Sequence, residues 1–167
     1  MSRCLMLLAA LLLSGCASYG GSGLVVGQSV EGDVMQRMGE PAMQWTNEDG
    51  SRLLAYPRGS GGHTFMVQIG RDGKLDHIEN VLSSAGFSRI RAGMNMDQVL
   101  RTLGPPNPAW TVYFKARDEL VWEWRYCDDW SQFARFNVLF DGTRQEVRST
   151  LSLPEECRPH TICWCSR

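Results

Sequence analysis

The sequence has no long apolar run, no excess of basic over acidic residues and few histidines. Each of these features would indicate a different class of protein. Its main apolar run, residues 5–13, spans nine residues, whereas a membrane-spanning helix requires about 20. The 17 basic and 18 acidic residues give a net charge of −1, which argues against a nucleic-acid partner. Only three histidines are present, which leaves little material for acid–base catalysis.

Sequence motifs of enzymes are missing as well. His63 and His77 have no serine or cysteine nucleophile motif around them. The glycine-rich residues 59–62 lack the Lys-Ser/Thr pair of a phosphate-binding loop. No Cys-x-x-Cys pair of the redox type occurs at a helix start. We therefore expect a protein that is not an enzyme and that holds neither a cofactor nor a metal.

The N-terminal segment has the pattern of a lipoprotein signal peptide. Arg3 provides a weakly basic start, the apolar run follows, and Ser14 and Gly15 place two small residues before Cys16. Lipoprotein signal peptidase needs small residues before the cysteine, so we expect cleavage that removes residues 1–15 and leaves lipid on Cys16. Bacterial lipoproteins resemble one another in carrying several acyl chains there, which suffices for stable anchoring.

The residues after this cysteine predict where the protein is held. Ala17 stands where, in similar lipoproteins, an aspartate favours retention in the inner membrane, so we expect the periplasmic side of the outer membrane. Residues 16–23 are rich in glycine and serine and form a predicted tether with a typical reach of about 15 Å. The folded part is therefore expected to stay close to the lipid surface.

Four further cysteines, Cys127, Cys157, Cys163 and Cys165, are predicted to form disulfides because the periplasm is oxidising. Three connectivities are possible, and a bridge between Cys163 and Cys165 is disfavoured by their spacing. The expected arrangement joins the C-terminal tail to the strand ending at Cys127, with a second bridge inside or beside the tail. A metal site made by these thiols and His160 is the alternative, which the spacing favours less.

Two stretches of the chain, residues 27–41 and 93–106, repeat one pattern at an offset of 65 to 66 residues. Each opens with glycine and a polar helix cap, Ser29 or Asn95, and ends at glycine followed closely by proline. Between these ends the spacing predicts a short amphipathic helix. The apolar positions of the two predicted helices are Val30, Val34 and Met38, and Met96, Val99, Leu100 and Leu103.

Apolar residues alternate after each predicted helix, which predicts antiparallel strands joined by Asp-Gly turns at Asp72 and Asp141. In the first copy the alternation covers 53–56, Phe65, Val67 and Ile69, and the return strand 75–82. In the second it covers Leu120, Trp122, Trp124 and Tyr126, then Ala134, Phe136, Val138 and Phe140, and then Val147, Ser149 and Leu151 on the return strand. The fold class predicted is α+β, with two tandem units, each a short helical segment packed on a three- to four-stranded antiparallel sheet.

This order of motifs resembles the SmpA/OmlA (BamE) family of small outer-membrane lipoproteins, which support the β-barrel assembly machinery. A tandem pair of such units is also similar to the β-lactamase inhibitor protein fold. The resemblance covers roughly residues 27–82 and 93–151. We therefore expect a first unit at 24–82 and a second at 93–152. The serine- and glycine-containing residues 83–92 are predicted to link the two units, and 153–167 form a cysteine-rich tail. Gly32 inside the first helix, the second unit and the tail depart from ordinary family members.

The leading functional hypothesis is a non-catalytic, lipid-anchored module that binds another envelope protein, with β-barrel assembly components as candidate partners. Trp110 and Trp130 lie in predicted loops and are the candidate partner-binding residues, since tryptophan is common in interface hot spots. Two alternatives stay open. One is an inhibitor-type module that binds a periplasmic hydrolase, and the other is a metal- or thiol-handling envelope protein that uses the tail.

Overall fold

The computed structural model describes residues 20–58, 62–156 and 164–165, and it has an α+β fold with two four-stranded antiparallel sheets. Each sheet has its strands in sequence order, β1-β2-β3-β4 and β5-β6-β7-β8. The α-helices are α1 (Glu31–Met38), α2 (Ser84–Phe87) and α3 (Met96–Leu103). The strands are β1 (Met43–Thr46), β2 (Arg52–Pro57), β3 (Thr64–Ile69), β4 (Leu75–Asn80), β5 (Val112–Phe114), β6 (Glu119–Cys127), β7 (Phe133–Asp141) and β8 (Val147–Pro154).

Helix α3 forms where the apolar spacing and the cap residues predict it. Asn95 Oδ1 accepts a hydrogen bond from Gln98 N–H at 2.9 Å, and the Gln98 side chain accepts from Asn95 N–H at 2.8 Å, so both ends of a capping box are in place. Val99 and Leu103 are fully buried. The helix ends at Gly104, whose φ of +71° suits glycine.

Helix α1 differs from the prediction at its N-terminus. Its cap is Val30 rather than Ser29, and the Asp33 carboxylate accepts the Val30 N–H at 2.9 Å. The Ser29 hydroxyl instead accepts a hydrogen bond from Val25 N–H, which closes a turn before the helix. Val30 is therefore exposed, and the buried stripe is reduced to Val34 and Met38. Within the described residues, no helix is both long enough and apolar enough to span a membrane.

The side-chain alternation predicted for β6 and β7 is present, but β8 departs from it. Val147 faces the core residue Phe140, whereas Arg148 is an extra residue that shifts the register. From Ser149 onward, the side chains of β8 therefore alternate between the two faces in the opposite sense. The extra residue forms a β-bulge, which hydrophobic spacing alone does not reveal. As a result Val147 is buried, whereas Leu151 lies on the other, exposed face of the sheet.

The core of the protein is shared between the two sheets. Helix α1 packs its Val34 and Met38 on one face of the first sheet, and the opposite face turns towards α3. Val99 and Leu103 of α3 lie in one cluster of buried residues contributed by both sheets. The cluster members from the first sheet are Ala55 and Met66, and those from the second are Trp124, Phe136, Val138, Phe140 and Val147.

Polar contacts also join α3 to the first sheet. Trp45 Nε1 donates to Asp97 Oδ1 at 3.0 Å, and Arg101 Nη1 donates to Asn47 Oδ1 at 3.2 Å. At Gly104 the backbone comes so close that a Cβ would lie 2.7 Å from Thr64 Cγ2. Helix α3, which belongs to the second half, is therefore packed against the sheet of the first half.

Backbone contacts recur at equivalent places in the two halves. The residues before α1 and α3 each form an isolated antiparallel bridge to the last hairpin of their own sheet, Val30 with Lys74 and Asn95 with Glu146. The register shift at the last hairpin also occurs in both sheets, between Gln68 and Ile69 and between Leu139 and Phe140. The equivalent glycine contacts are Gly27 N–H to Leu75 O and Gly93 N–H to Val147 O.

Residues 83–92, predicted as a linker, contain the short helix α2. Ser83 caps this helix through its hydroxyl, which accepts the Gly86 N–H at 3.3 Å. Phe87 then stacks on Phe136 with ring centroids 4.0 Å apart, so the segment contributes to the core. The serine and glycine content that favoured a linker supplies the cap at Ser83 and a site of close packing at Gly86.

Replacing Gly86 by alanine is expected to destabilise the protein by about 1–3 kcal/mol, because the added Cβ would lie 1.9 Å from the Val81 carbonyl oxygen. The matched control is Gly32→Ala in α1, where a Cβ meets nothing within 4 Å. That change is expected to stabilise the protein by about 0.5–1 kcal/mol, because alanine is the better helix former. Urea unfolding of both variants measures the effects, and equal values for the two would contradict the packing described at Gly86.

Candidate binding surface

The second sheet has one face turned away from the core, here called the outer face. Strand register places on it the side chains that alternate with those in the core. Among the described residues, none of the three α-helices contributes to this face. Its apolar members include Val112, Phe114, Val121, Leu139, Leu151 and Leu153, and its polar members include Glu119, Glu123, Arg125, Arg135, Asn137 and Asp141.

Four apolar side chains of the outer face are exposed. Val112, Phe114, Leu151 and Leu153 each expose between 42% and 47% of their surface. They lie on the two edge strands, β5 and β8, and so frame the face from both sides. Exposed apolar side chains grouped on one face of a sheet are typical of protein-binding surfaces.

Ion pairs fill the middle of the outer face. Arg125 Nε lies 2.6 Å from Glu155 Oε2, and Arg135 bridges Glu123 Oε1 at 2.6 Å and Glu155 Oε1 at 3.1 Å. Burial alone would raise the pKa of Glu155, but the hydrogen bonds from the two arginines outweigh it and hold that pKa below its usual range. The charges are therefore fixed in place, which orients the face for complementary polar contacts.

Trp110 lies beside this network and is only half-buried by it. The residue ends a 3₁₀ turn, Pro108–Trp110, and the Arg135 guanidinium carbon lies 4.7 Å from its ring centroid. The cation–π contact holds the ring against the outer face. Trp110 thus extends the face beyond the sheet.

Trp130 lies at a different place, in the β6–β7 hairpin, and is 81% exposed. The Asp128 carboxylate accepts the Trp130 N–H at 2.9 Å and holds the turn. The tail brings a second exposed tryptophan, Trp164, to the same end of the sheet, because Gln132 and Trp164 form an isolated antiparallel bridge. The two candidate residues predicted from the sequence therefore lie on different elements, and Trp164 lies at the same end of the sheet as Trp130.

Cys127 and Cys165 form a disulfide, with 5.7 Å between their Cα atoms. The bond joins the tail to the end of β6, and Cys165 N–H also donates to Ser131 O at 3.0 Å. Cys157 and Cys163 lie outside the described residues, so the second predicted bridge stays a prediction. Among the described residues, no group of three or more metal-ligating side chains comes together.

Cys16, the predicted lipid site, also lies outside the described residues. Sequence reasoning missed the apolar side chains on β8, because their exposure depends on the bulge at Arg148. The alternation Leu151-Ser152-Leu153 is the only local pattern that indicates these side chains. It is equally consistent with leucines that face the core.

The fold and this surface were compared with known proteins at the levels of sequence family and structure. No protein-family model matches the chain, no curated protein matches it, and no solved structure matches it.

Proposed function

We propose that this chain is a lipoprotein of the outer membrane, held on the periplasmic side by lipid on Cys16, and that it binds another envelope protein without catalysis. The observation that carries the binding role is the outer face, with exposed apolar side chains on both edge strands and ordered ion pairs between them. Exposed apolar side chains beside charges that are held in ion pairs suit contacts with a protein surface better than turnover of a small substrate.

The first sheet provides an internal precedent for such an interface. Its face bearing Ala55 and Met66 is the counterpart of the outer face, because both lie opposite the face that packs on the helix of their own half. In the first half this face contacts α3 and buries Ala55 and Met66. In the second half no described helix covers the counterpart, which supports a partner protein as its occupant.

The tandem-unit reading belongs to the same proposal. We take residues 24–82 and 93–152 as two units of the BamE type, each with one helix packed on its own four-stranded sheet. The recurring bridges before α1 and α3 and the register shift shared by both sheets support it. Components of the β-barrel assembly machinery are the candidate partners that the resemblance suggests.

The lipid anchor is tested by replacing Cys16 with serine, with Cys4→Ser as the matched control inside the predicted signal peptide. The wild-type protein and Cys4→Ser are expected in the outer-membrane fraction with incorporated palmitate. Cys16→Ser is expected to carry no palmitate and to leave that fraction, because it lacks the thiol that receives lipid. Palmitate on Cys16→Ser, or its retention in the outer membrane, would contradict the anchor.

The binding surface is tested with a photo-crosslinking amino acid placed at Leu153 in living cells. Thr150, which is exposed on the same strand but on the opposite face, is the matched control position. We expect position 153 to capture one envelope protein that position 150 does not, and Leu151→Asp with Leu153→Asp to abolish copurification of that protein. Equal capture from both positions, or copurification unchanged by the two aspartates, would refute the outer face as the binding surface.

A further inference from the structure

Strand β8 is an edge strand of the second sheet, and most of its length is open on the side away from β7. Only its start is covered there, because Gly93 N–H donates to Val147 O and Val147 N–H donates to Met94 O, both at 2.8 Å. All residues of β8 after Val147 are exposed. Among the described residues, β7 alone pairs with the strand from Ser149 to Pro154.

The backbone groups on the open side of β8 follow from its pairing with β7. Glu155 N–H donates to Phe133 O at 3.0 Å and continues the register of the two strands. In an antiparallel pair, both backbone groups of a residue point to the same side, and the side alternates along the strand. The residues of β8 that therefore turn their backbone groups to the open side are Thr150, Ser152 and Pro154.

The open edge of β8 lacks the features that protect the other sheet edges. The edge strands β1 and β5 have only four and three residues. Strand β4 carries the charged or titratable side chains of Asp76, His77 and Glu79. Residues 149–153 of β8, in contrast, include no charged residue and no proline. Short length, charge and proline are the usual means of preventing edge-to-edge pairing, so β8 is the edge best suited to accept another strand.

The sequence of β8 is complementary to itself in the antiparallel orientation. With Ser152 on a two-fold axis, Leu151 lies opposite Leu153 of a second copy on the outer face, and Thr150 lies opposite Pro154. Ser152 N–H then donates to the carbonyl oxygen of its own counterpart, and Thr150 N–H donates to the Pro154 carbonyl oxygen. Pro154 has no N–H of its own, so this register leaves no donor of the open side unpaired.

The charges at the two ends of β8 favour the same orientation. Arg148 lies near the start of the strand, and Glu155 and Glu156 follow its end. Antiparallel pairing about Ser152 brings residue 148 of each copy opposite residue 156 of the other. Opposite charges therefore meet at both ends of the joined strands, whereas parallel pairing would bring like charges together.

We propose that a second copy of this chain binds along the open edge of β8, antiparallel about Ser152, so that the two four-stranded sheets become one continuous sheet. The outer faces of the two copies then lie on the same side of this sheet. Leu151 and Leu153 of both copies pack together at the junction. This dimer goes beyond the proposed function, because it requires neither the lipid anchor nor an envelope partner.

The register is tested by disulfide crosslinking of the full chain, purified in a mild detergent and oxidised gently. Ser152→Cys is expected to give a covalent dimer, because the Cα atoms of a hydrogen-bonded antiparallel pair lie about 5.5 Å apart, within the reach of a disulfide. Ser149→Cys is the matched control on the same strand, because its counterpart would lie about 20 Å away. No covalent dimer from Ser152→Cys, or equal yields from the two variants, would overturn the proposal.

The backbone contact is tested by comparing Ser152→Pro with Ser152→Ala in sedimentation velocity. Proline removes the N–H on the open side, so we expect dimerisation to weaken about tenfold or more, whereas alanine keeps the N–H and the affinity. The fold is expected to remain, because this N–H does not face β7 and Pro154 already occupies an equivalent position; circular dichroism checks it. A monomeric wild-type chain, or dimerisation unchanged by proline, would refute the pairing.

Both tests use the purified chain alone, so their outcome is independent of an envelope protein on the outer face. If Ser152→Pro fails to fold, the crosslinking of Ser152→Cys against Ser149→Cys decides the proposal. In living cells, capture of a second copy gives a product of twice the mass of the chain. That product is thereby distinguished from the crosslink to an envelope protein expected at position 153.

Discussion

Replacing Leu103 by alanine is expected to lower the free energy of unfolding by about 2–5 kcal/mol, the range found for large-to-small changes at fully buried sites. Leu103 is fully buried in the cluster that both sheets share, so the cavity left by alanine cannot be filled by one sheet alone. Urea unfolding followed by circular dichroism measures the loss. Because the cluster joins both halves, we also expect one cooperative transition.

The matched control is Leu153→Ala, the same chemical change at a side chain that is 47% exposed on the outer face. Its expected effect is about 1 kcal/mol or less, because little buried contact is lost. Two effects of equal size would contradict the shared core. Separate transitions for the two halves in the wild-type protein would contradict it as well.

Removal of the disulfide by the double change Cys127→Ser and Cys165→Ser is expected to destabilise the protein by about 2–4 kcal/mol. The bridge spans 38 residues of sequence, and the chain-entropy model assigns about 4 kcal/mol to a closed loop of that length. The bond acts mainly on the unfolded chain, by restricting its conformations. Denaturant unfolding of the wild-type and double-variant proteins without reductant measures the difference.

Reduction of the wild-type protein by dithiothreitol serves as the control for this variant. If the Cys127–Cys165 bridge accounts for the stability difference, reduction lowers the wild-type stability to that of the double variant. The stability of the double variant is then unchanged by reduction. A double variant as stable as the oxidised wild type would contradict the stabilising role of the bridge. A further loss when the double variant is reduced would identify a second bridge involving Cys157 and Cys163.

Local sequence patterns predicted those parts of the fold that are determined by residues close together in the sequence. The apolar spacing of Val99 and Leu103 and the capping pair Asn95 and Gln98 lie within one short segment, and α3 forms there as expected. The α+β class and the antiparallel strands followed from the same kind of evidence. These features depend on periodicity and caps, which a single sequence displays directly.

Features set by contacts between distant residues were not predicted. Residues 83–92 resemble a linker by composition, and the packing of Phe87 on Phe136 is what makes this segment part of the core. The extra residue Arg148 belongs to a bulge that strand pairing defines, so the exposure of Leu151 could not be derived from alternation. In both cases tertiary contacts override the local pattern.

The candidate site likewise has features that local patterns predicted and features that depend on contacts between distant residues. Exposure of Trp130 agrees with its predicted place in a loop, whereas Trp110 is held by Arg135, which is 25 positions later in the sequence. A cavity of about 380 Å³ lined by Pro57, Trp110 and Trp124, among others, was not predicted at all. Its lining comes from the ends of β2 and β3, from loops and from β6, and no sequence window contains more than a part of it.

The position of α3 between the sheets determines the order in which the protein can complete its structure during synthesis. The first sheet is made before residue 96, yet its face with Ala55 and Met66 is covered only when α3 has followed. Until then the nascent chain exposes an unfinished apolar surface, which is a target for chaperones and a risk for aggregation. The Cys127–Cys165 bond closes only after the second sheet is made, so it secures a finished structure instead of guiding its formation.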